Sequence, residues 1–227
     1  MTIETCEFKQ PLTCRYLLSV PDPLPEKPVI VLALHGYGQN PETMLRLAVP
    51  TVEPGVIVAA LQGPNQHYTI DGPAGGVAGY SWGIRQHHAD AMQMHHGMVA
   101  HALAELQARF GVGPKRCFLM AFSQGVGFNF RFLGTFPDAV AGVIAICGGV
   151  PKDWEEPKYQ NFQTPILQIA RSEDEYFPQS VAAGFPDRLR THASDVEFHM
   201  IPGKHRYPSH ARDFVRPWMA RVLSAGR

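Results

Sequence analysis

Six apolar runs, each followed by turn residues, are the feature that most restricts how this chain can fold. They are five or six residues long and rich in β-branched side chains. Apolar runs without alternation indicate strands that are buried on both faces, as in a parallel sheet covered by helices. The six runs are residues 29–34, 56–61, 117–122, 143–147, 166–170 and 196–201.

Helical segments fall between these strands. Residues 91–110, 124–136, 180–192 and 210–223 carry apolar side chains at helical spacing. The second of them is apolar on nearly every side, which is typical of a buried helix. Alternating strands and helices predict a single α/β domain over residues 1–227, with a mostly parallel central sheet and helices on both faces.

Three stretches depart from this rhythm. Residues 14–20 alternate more and predict an antiparallel edge strand. Residues 63–83 are rich in Gly and Pro, and residues 150–164 are mostly polar and contain Trp154. We predict that both are surface loops over the strand ends, and both are too short for a separate lid domain.

The charge balance excludes several classes of partner. Lys+Arg and Asp+Glu both count 20, so no basic field exists to attract nucleic acid or anionic lipid. No run of about 18 apolar residues is present to span a membrane. The first residues lack the basic and apolar regions of a signal peptide.

The cysteines indicate a reducing compartment. Cys6, Cys14, Cys117 and Cys147 show no C-x-x-C spacing, and the last two lie in apolar strands, where buried thiols are common. We expect four reduced thiols and a cytoplasmic location, with a disulfide between Cys6 and Cys14 as the alternative.

Ser123 is the first candidate for chemistry. It directly follows the apolar run 117–122 and precedes a helical segment, with Ala121 and Gly125 two residues to either side. A strand that turns this sharply into a helix needs small residues at those two positions, and it lifts the serine hydroxyl above the sheet. The pattern predicts a nucleophile elbow.

A serine hydroxyl needs a general base, which is normally histidine, to act as a nucleophile at neutral pH. In this class of fold the base comes last along the chain. His205 directly follows the final strand and is the best candidate. His199 lies within that strand, while His192 and His210 fall in or near helices.

The base needs a carboxylate that orients its ring. The loop after strand 166–170 supplies three candidates, namely Glu173, Asp174 and Glu175. We favour Asp174 because it lies in the middle of the loop, four residues before Pro178, where the next helix is expected to begin. Glu173 and Glu175 remain the alternatives.

An ester hydrolase also needs two backbone N–H groups directed at the developing oxyanion. Gln124 offers one, because it follows Ser123 at a helix N-terminus. The loop after strand 29–34 reads His-Gly-Tyr-Gly over residues 35–38, and its glycines allow a sharp turn. We predict that the N–H of Tyr37 is the second donor.

Aromatic residues near these loops are candidates for the substrate pocket. The aromatic residues closest to them in the sequence are Tyr37, Tyr80, Trp82, Phe177 and Tyr207. Five histidines between residues 87 and 101 could suggest a metal site, but the adjacent His95 and His96 would point to different faces of a helix. We therefore expect no metal.

These motifs together resemble the phospholipase/carboxylesterase family of the α/β-hydrolase superfamily, which includes acyl-protein thioesterases and small bacterial carboxylesterases. The resemblance rests on residues 35–38, on Ala-Phe-Ser-Gln-Gly at 121–125, on the Asp174 loop, on His205, and on Gly-Tyr-Ser-Trp at 79–82. It covers nearly the whole chain. It implies a lidless α/β-hydrolase fold without cofactor and a Ser-Asp-His triad.

Three positions depart from the family pattern. Ala121 replaces the usual first glycine of the elbow, the acid loop opens with Ala-Arg at residues 170–171, and Lys204 precedes His205. None of them removes a predicted triad member. We expect a serine carboxylesterase acting on a small-molecule ester. The alternatives are an acyl-thioesterase or lysophospholipase using the same residues, and a non-catalytic binding protein on the same fold.

Overall fold

A computed structural model describes residues 1–69 and 76–225 and has a seven-stranded sheet at its centre. The strands are β1 (Tyr16–Ser19), β2 (Val29–Leu34), β3 (Val56–Leu61), β4 (Asn65–Tyr68), β5 (Ala78–Ser81), β6 (Cys117–Phe122), β7 (Gly142–Ile146), β8 (Ile166–Arg171) and β9 (Val196–Ile201). The central order is β1-β3-β2-β6-β7-β8-β9. Strand β1 pairs antiparallel with β3 at one edge, and the other strands are parallel. This confirms the predicted sheet and its edge strand.

Helices cover both faces of the sheet. They are α1 (Pro41–Ala48), α2 (His88–Phe110), α3 (Gln124–Thr135), α4 (Gln179–Ala182), α5 (Phe185–Leu189) and α6 (Arg212–Ala225). One core lies between the sheet and α2, α3 and α5, and the other lies between the sheet and α1 and α6. None of these helices combines the length and apolarity that crossing a bilayer requires.

The two cores explain why strands β2, β3 and β6 are apolar at every position. Successive side chains of a strand point to opposite faces. In β2, Ile30 and Leu32 enter the core beside α2 and α3, while Val31 and Ala33 enter the core beside α1 and α6. Both faces exclude water, so a continuous apolar run is what the fold needs.

Helix α1 was not predicted from the sequence, although its signals are local. The side chain of Asn40 accepts a hydrogen bond from the N–H of Thr43 at 2.9 Å, and Pro41 occupies the first turn. This is a standard helix start. The predicted helix 180–192 was also wrong in part, because the chain forms two short helices, α4 and α5, with Gly184 and Pro186 at their junction.

The segment 63–83 is more ordered than predicted. Strands β4 and β5 form an antiparallel hairpin, and residues 70–75 between them lie outside the described part of the chain. The hairpin joins the loop after β2 through two backbone bonds between Tyr80 and that loop. Gly38 N–H donates to the Tyr80 carbonyl at 3.0 Å, and Tyr80 N–H donates to the Gln39 carbonyl at 2.8 Å.

The segment 150–164 also departs from a simple surface loop. Trp154 is fully buried, with its ring among Phe130, Tyr159 and Phe162. The segment therefore adds to the core rather than only covering it. All four cysteines are free, with Cys6 and Cys14 exposed and Cys117 and Cys147 buried.

Candidate active site

Ser123 occupies a strained turn between β6 and α3. Its backbone φ of 53° and ψ of −116° are rare for a residue with a side chain. Its N–H donates to the Ile146 carbonyl at 2.9 Å, which ties the turn to β7. A Cβ at Gly125 would lie 3.1 Å from Leu34 Cβ and 3.3 Å from Ala121 Cβ. The tight packing explains why the flanking positions are small.

His205 lies on the loop after β9 and joins Ser123 to Asp174. Its Nε2 is 2.8 Å from Ser123 Oγ, and its Nδ1 is 2.7 Å from Asp174 Oδ2. The side chains of His205 and Asp174 are 12% and 1% exposed. The three residues therefore form one hydrogen-bonded chain, and its histidine–carboxylate end is shielded from water.

The contacts of Asp174 indicate which ring nitrogen carries the proton. Its Oδ1 accepts the backbone N–H groups of Tyr176 at 2.8 Å and Phe177 at 2.9 Å. Its Oδ2 faces Nδ1 of His205, so Nδ1 must donate. The other nitrogen, Nε2, is then free to accept the proton of Ser123 Oγ, as a general base would.

The competing acids and histidines lie elsewhere. Glu173 is exposed, and Glu175 accepts the backbone N–H of His205 rather than contacting its ring. His199 pairs with Glu197, and His192 contacts Asn161. The acid and the base favoured from the sequence are thus the pair that the structure brings to Ser123.

The backbone N–H groups of Tyr37 and Gln124 belong to the loop after β2 and to the first residue of α3, which meet at Ser123. Neither donates to any acceptor in residues 1–69 or 76–225. A Cβ at Gly36 would lie 3.2 Å from Ser123 Cβ and 2.9 Å from Phe122 Cδ1, so only glycine lets this loop approach so closely. Two free donors beside a serine suit a developing oxyanion.

His35 supports the loop that carries Tyr37. Its Nε2 accepts the N–H of Gly63 at 3.0 Å, so its Nδ1 carries the proton and donates to the Gly36 carbonyl at 2.8 Å. Burial lowers the pKa of His35 to about 4. The ring is therefore neutral at physiological pH, and its two hydrogen bonds connect the loop after β2 to the loop after β3.

Trp82 is fully buried, so the prediction that it lines a substrate pocket was wrong. Its indole N–H donates to the His35 carbonyl at 2.8 Å. The side chain of Gln124 accepts the Trp82 backbone N–H at 3.0 Å and donates to the Gly83 carbonyl at 2.8 Å. Trp82 thus supports the elbow through Gln124 and the Tyr37 loop through His35.

Tyr207 is half-buried and its hydroxyl is bound outside the triad, so its predicted pocket role rests on its ring alone. Its hydroxyl donates to Thr51 Oγ1 at 3.0 Å, on the side of the sheet that faces α6. Burial raises the pKa of Tyr207, and its ring packs 5.8 Å from the ring of Phe122. The hydroxyl is therefore bound to Thr51 and not to a member of the triad.

Two exposed aromatic residues lie beside the site, and one of them, Tyr176, had no pocket role predicted from the sequence. Tyr176 is 74% exposed, and its ring lies 4.7 Å from that of His205. The exposed ring of Tyr37 stacks on His67 at 5.1 Å. Phe177 and Tyr80, which were predicted near the pocket, are half-buried, with Phe177 6.0 Å from His205. The sequence did offer a signal for Tyr176, because it lies only two residues after Asp174.

Two histidines of α2, His95 and His96, serve packing. His95 is fully buried, with its ring 5.5 Å from Trp82 and 5.2 Å from Phe128. Its neighbour His96 packs instead on Phe132 and Phe136. Within residues 1–69 and 76–225, no three His, Cys, Asp or Glu side chains are grouped to hold a metal ion.

Comparison with known proteins gives a consistent result. The sequence model of the phospholipase/carboxylesterase family matches residues 19–220. No curated protein sequence matches significantly.

Solved structures with a similar fold include esterase PE8, with 20% identity and a TM-score of 0.72 over 93% of this chain and 100% of that one. The Bacillus cereus carboxylesterase has 17% identity and a TM-score of 0.71 over 92% and 94% of the two chains. Zea mays acyl-protein thioesterase 2 has 16% identity and a TM-score of 0.68 over 92% and 99%. At these identities the likeness shows the α/β-hydrolase fold.

Proposed function

This chain belongs to the phospholipase/carboxylesterase family, and on that premise we propose that it is a serine carboxylesterase that hydrolyses small-molecule esters. The observation that carries the proposal is the hydrogen-bonded chain from Ser123 Oγ through the His205 ring to Asp174, with distances of 2.8 and 2.7 Å. The strained turn at Ser123 supports it further, because such strain is common at functional sites.

In the first half of the reaction, Ser123 Oγ attacks the carbonyl carbon of the ester. His205 Nε2 takes the hydroxyl proton as the new C–O bond forms. The carbonyl oxygen becomes an oxyanion and accepts hydrogen bonds from the N–H groups of Tyr37 and Gln124. The bond to the alcohol oxygen then breaks, and His205 returns its proton to the leaving alcohol.

The second half uses the same groups. A water molecule loses a proton to His205 Nε2 and attacks the acyl carbon of Ser123. The second tetrahedral intermediate collapses, the carboxylic acid leaves, and Ser123 Oγ recovers its proton from His205. Asp174 keeps the Nδ1 proton in place throughout and stabilises the imidazolium that forms twice per turnover.

The test is hydrolysis of p-nitrophenyl esters from acetate to octanoate, together with labelling by a fluorophosphonate. We expect Ser123→Ala to lower kcat by at least about 10⁴-fold and to abolish labelling, because no other group replaces the nucleophile. The exposed Ser180→Ala is the matched control and should keep full activity. A Ser123→Ala variant with unchanged turnover would refute the mechanism.

Substrates with different leaving groups separate the substrate classes. A thioester or a lysophospholipid presents the same acyl carbonyl to Ser123, so the chemistry above applies to each. Parallel assays with an acyl-thioester and a lysophospholipid of matched acyl length identify the preferred leaving group. A carboxylesterase should show the highest kcat/KM on simple alcohol esters.

A further inference from the structure

We propose that Glu175 is a positioning residue that holds the backbone of His205 so that the imidazole reaches Ser123. The inference rests on the proposed function, because it assigns the ring of His205 the role of general base. Glu175 is one residue from Asp174 but touches His205 at a different atom. Its Oε2 accepts the backbone N–H of His205 at 3.0 Å.

The acid loop and the base loop are joined at three successive residues. The N–H of Glu173 donates to the Gly203 carbonyl at 2.9 Å, Asp174 binds the ring of His205, and Glu175 binds its backbone. The first bond aligns the loops, and the second orients the ring. The third fixes the point from which the ring extends.

His205 needs such a restraint because its own loop is exposed. Pro202, Lys204 and Arg206 are all exposed, so their side chains do not anchor this loop in the core. On the other side of His205, the thiol of Cys147 donates to the Arg206 carbonyl at 3.3 Å. Glu175 and Cys147 therefore hold the backbone on either side of His205, whose ring must contact both Ser123 and Asp174.

The charges near Glu175 favour its ionised form. The bond from the His205 backbone and the nearby Lys204 lower the pKa of Glu175. Lys204 Nζ is 4.0 Å from the other carboxylate oxygen, and both side chains are more than half exposed. An exposed pair at that distance contributes little. The contact to the His205 N–H is thus the one that matters for the geometry of the site.

The experiment compares Glu175→Ala with Glu175→Gln, using p-nitrophenyl ester kinetics and the rate of fluorophosphonate labelling of Ser123. We expect Glu175→Ala to lower kcat and the labelling rate about ten- to a hundredfold, with KM within about twofold. Glu175→Gln should recover most of the loss, because its amide oxygen can accept the same N–H. Melting temperatures should be unchanged, because Glu175 is on the surface.

Glu173→Ala is the matched control, since its exposed side chain forms no hydrogen bond in the described residues and its backbone bond survives. It should keep full activity. Full activity in Glu175→Ala would overturn the inference, and so would an equal loss in the Ala and Gln variants, which would point to charge rather than to the hydrogen bond. An unsubstituted protein that neither hydrolyses esters nor labels at Ser123 would instead overturn the proposed function.

Discussion

The two oxygens of the Asp174 carboxylate have different partners. Oδ1 accepts two backbone N–H groups of its own loop, and Oδ2 accepts the Nδ1 proton of His205. The first pair of bonds holds the carboxylate still, so the second can select one tautomer of the imidazole. A neighbouring carboxylate cannot replace it, because Glu173 points to solvent and Glu175 binds the His205 backbone.

We predict that Asp174→Asn lowers kcat by about 10⁴-fold while the fold is kept. An amide is nearly the same shape as a carboxylate, but its NH₂ group would face Nδ1 and favour the tautomer with the proton on Nε2. That tautomer cannot accept a proton from Ser123. Steady-state kinetics on p-nitrophenyl acetate check the prediction, with Glu173→Gln as control. Equal activity in the two variants would contradict it.

At the scale of elements, the segment after β7 is tied to the helix that begins beside Ser123. Asp153 of this segment accepts hydrogen bonds from Arg131 of α3 at 2.5 and 3.0 Å, from Tyr159 at 2.8 Å, and pairs with Lys158 at 2.8 Å. Burial alone would raise the pKa of Asp153, but these partners outweigh it and hold the pKa well below its usual range.

We predict that Asp153→Ala lowers the free energy of unfolding by about 2 to 4 kcal/mol. The side chain of Arg131 is only 13% exposed, so removal of its partner leaves a shielded charge without compensation. Glu156→Ala removes an exposed partner of the same Lys158 and should cost less than about 1 kcal/mol. Urea denaturation of both variants is the measurement, and equal losses would show that burial does not matter here.

At the scale of the whole molecule, buried histidines make the native state sensitive to acid. Burial lowers the pKa of His35 and of His96 to about 4 and that of His95 well below its ordinary value, and the charge of Arg131 lowers the latter two further. Below about pH 6.5 the unfolded chain binds protons at these positions while the folded chain does not. Native stability should therefore fall as the pH drops from about 6.5 toward 4.

We predict that each of these histidines removes about 1 to 2 kcal/mol of native stability between pH 8 and pH 5. Replacing His95 by Leu should reduce the difference in unfolding free energy between the two pH values by that amount. Neither ring nitrogen of His95 has a partner in the described residues, so no hydrogen bond is lost. Urea denaturation at both pH values tests it, with exposed His101→Gln as control; an unchanged difference in His95→Leu would refute it.

The arrangement of the whole sheet brings the candidate site together. All strands from β2 onward in the central sheet are parallel, so the loops that carry Tyr37, Ser123, Asp174 and His205 leave at the same edge. Ser123 and His205 are 82 residues apart along the chain and yet lie 2.8 Å apart at Oγ and Nε2. Topology, rather than local sequence, produces this contact.

The amino-acid sequence alone determined the strands of the central sheet, the class of fold and the position of the elbow. These features depend on local patterns, namely apolar runs that two covered faces require and small residues that a tight turn requires at positions 121 and 125. Each of these could be predicted because its physical cause lies within a few consecutive residues.

Only the tertiary structure decided what the side chains touch. Glu173, Asp174 and Glu175 all carry a carboxylate, so the sequence does not separate them. The path of their loop places Asp174 at the ring of His205, Glu175 at its backbone and Glu173 in solvent. Trp82 was predicted in the pocket but lies in the core, where its indole N–H donates to the His35 carbonyl. The hydroxyl of Tyr207 likewise donates to Thr51. Such choices depend on contacts between distant segments, which no local pattern records.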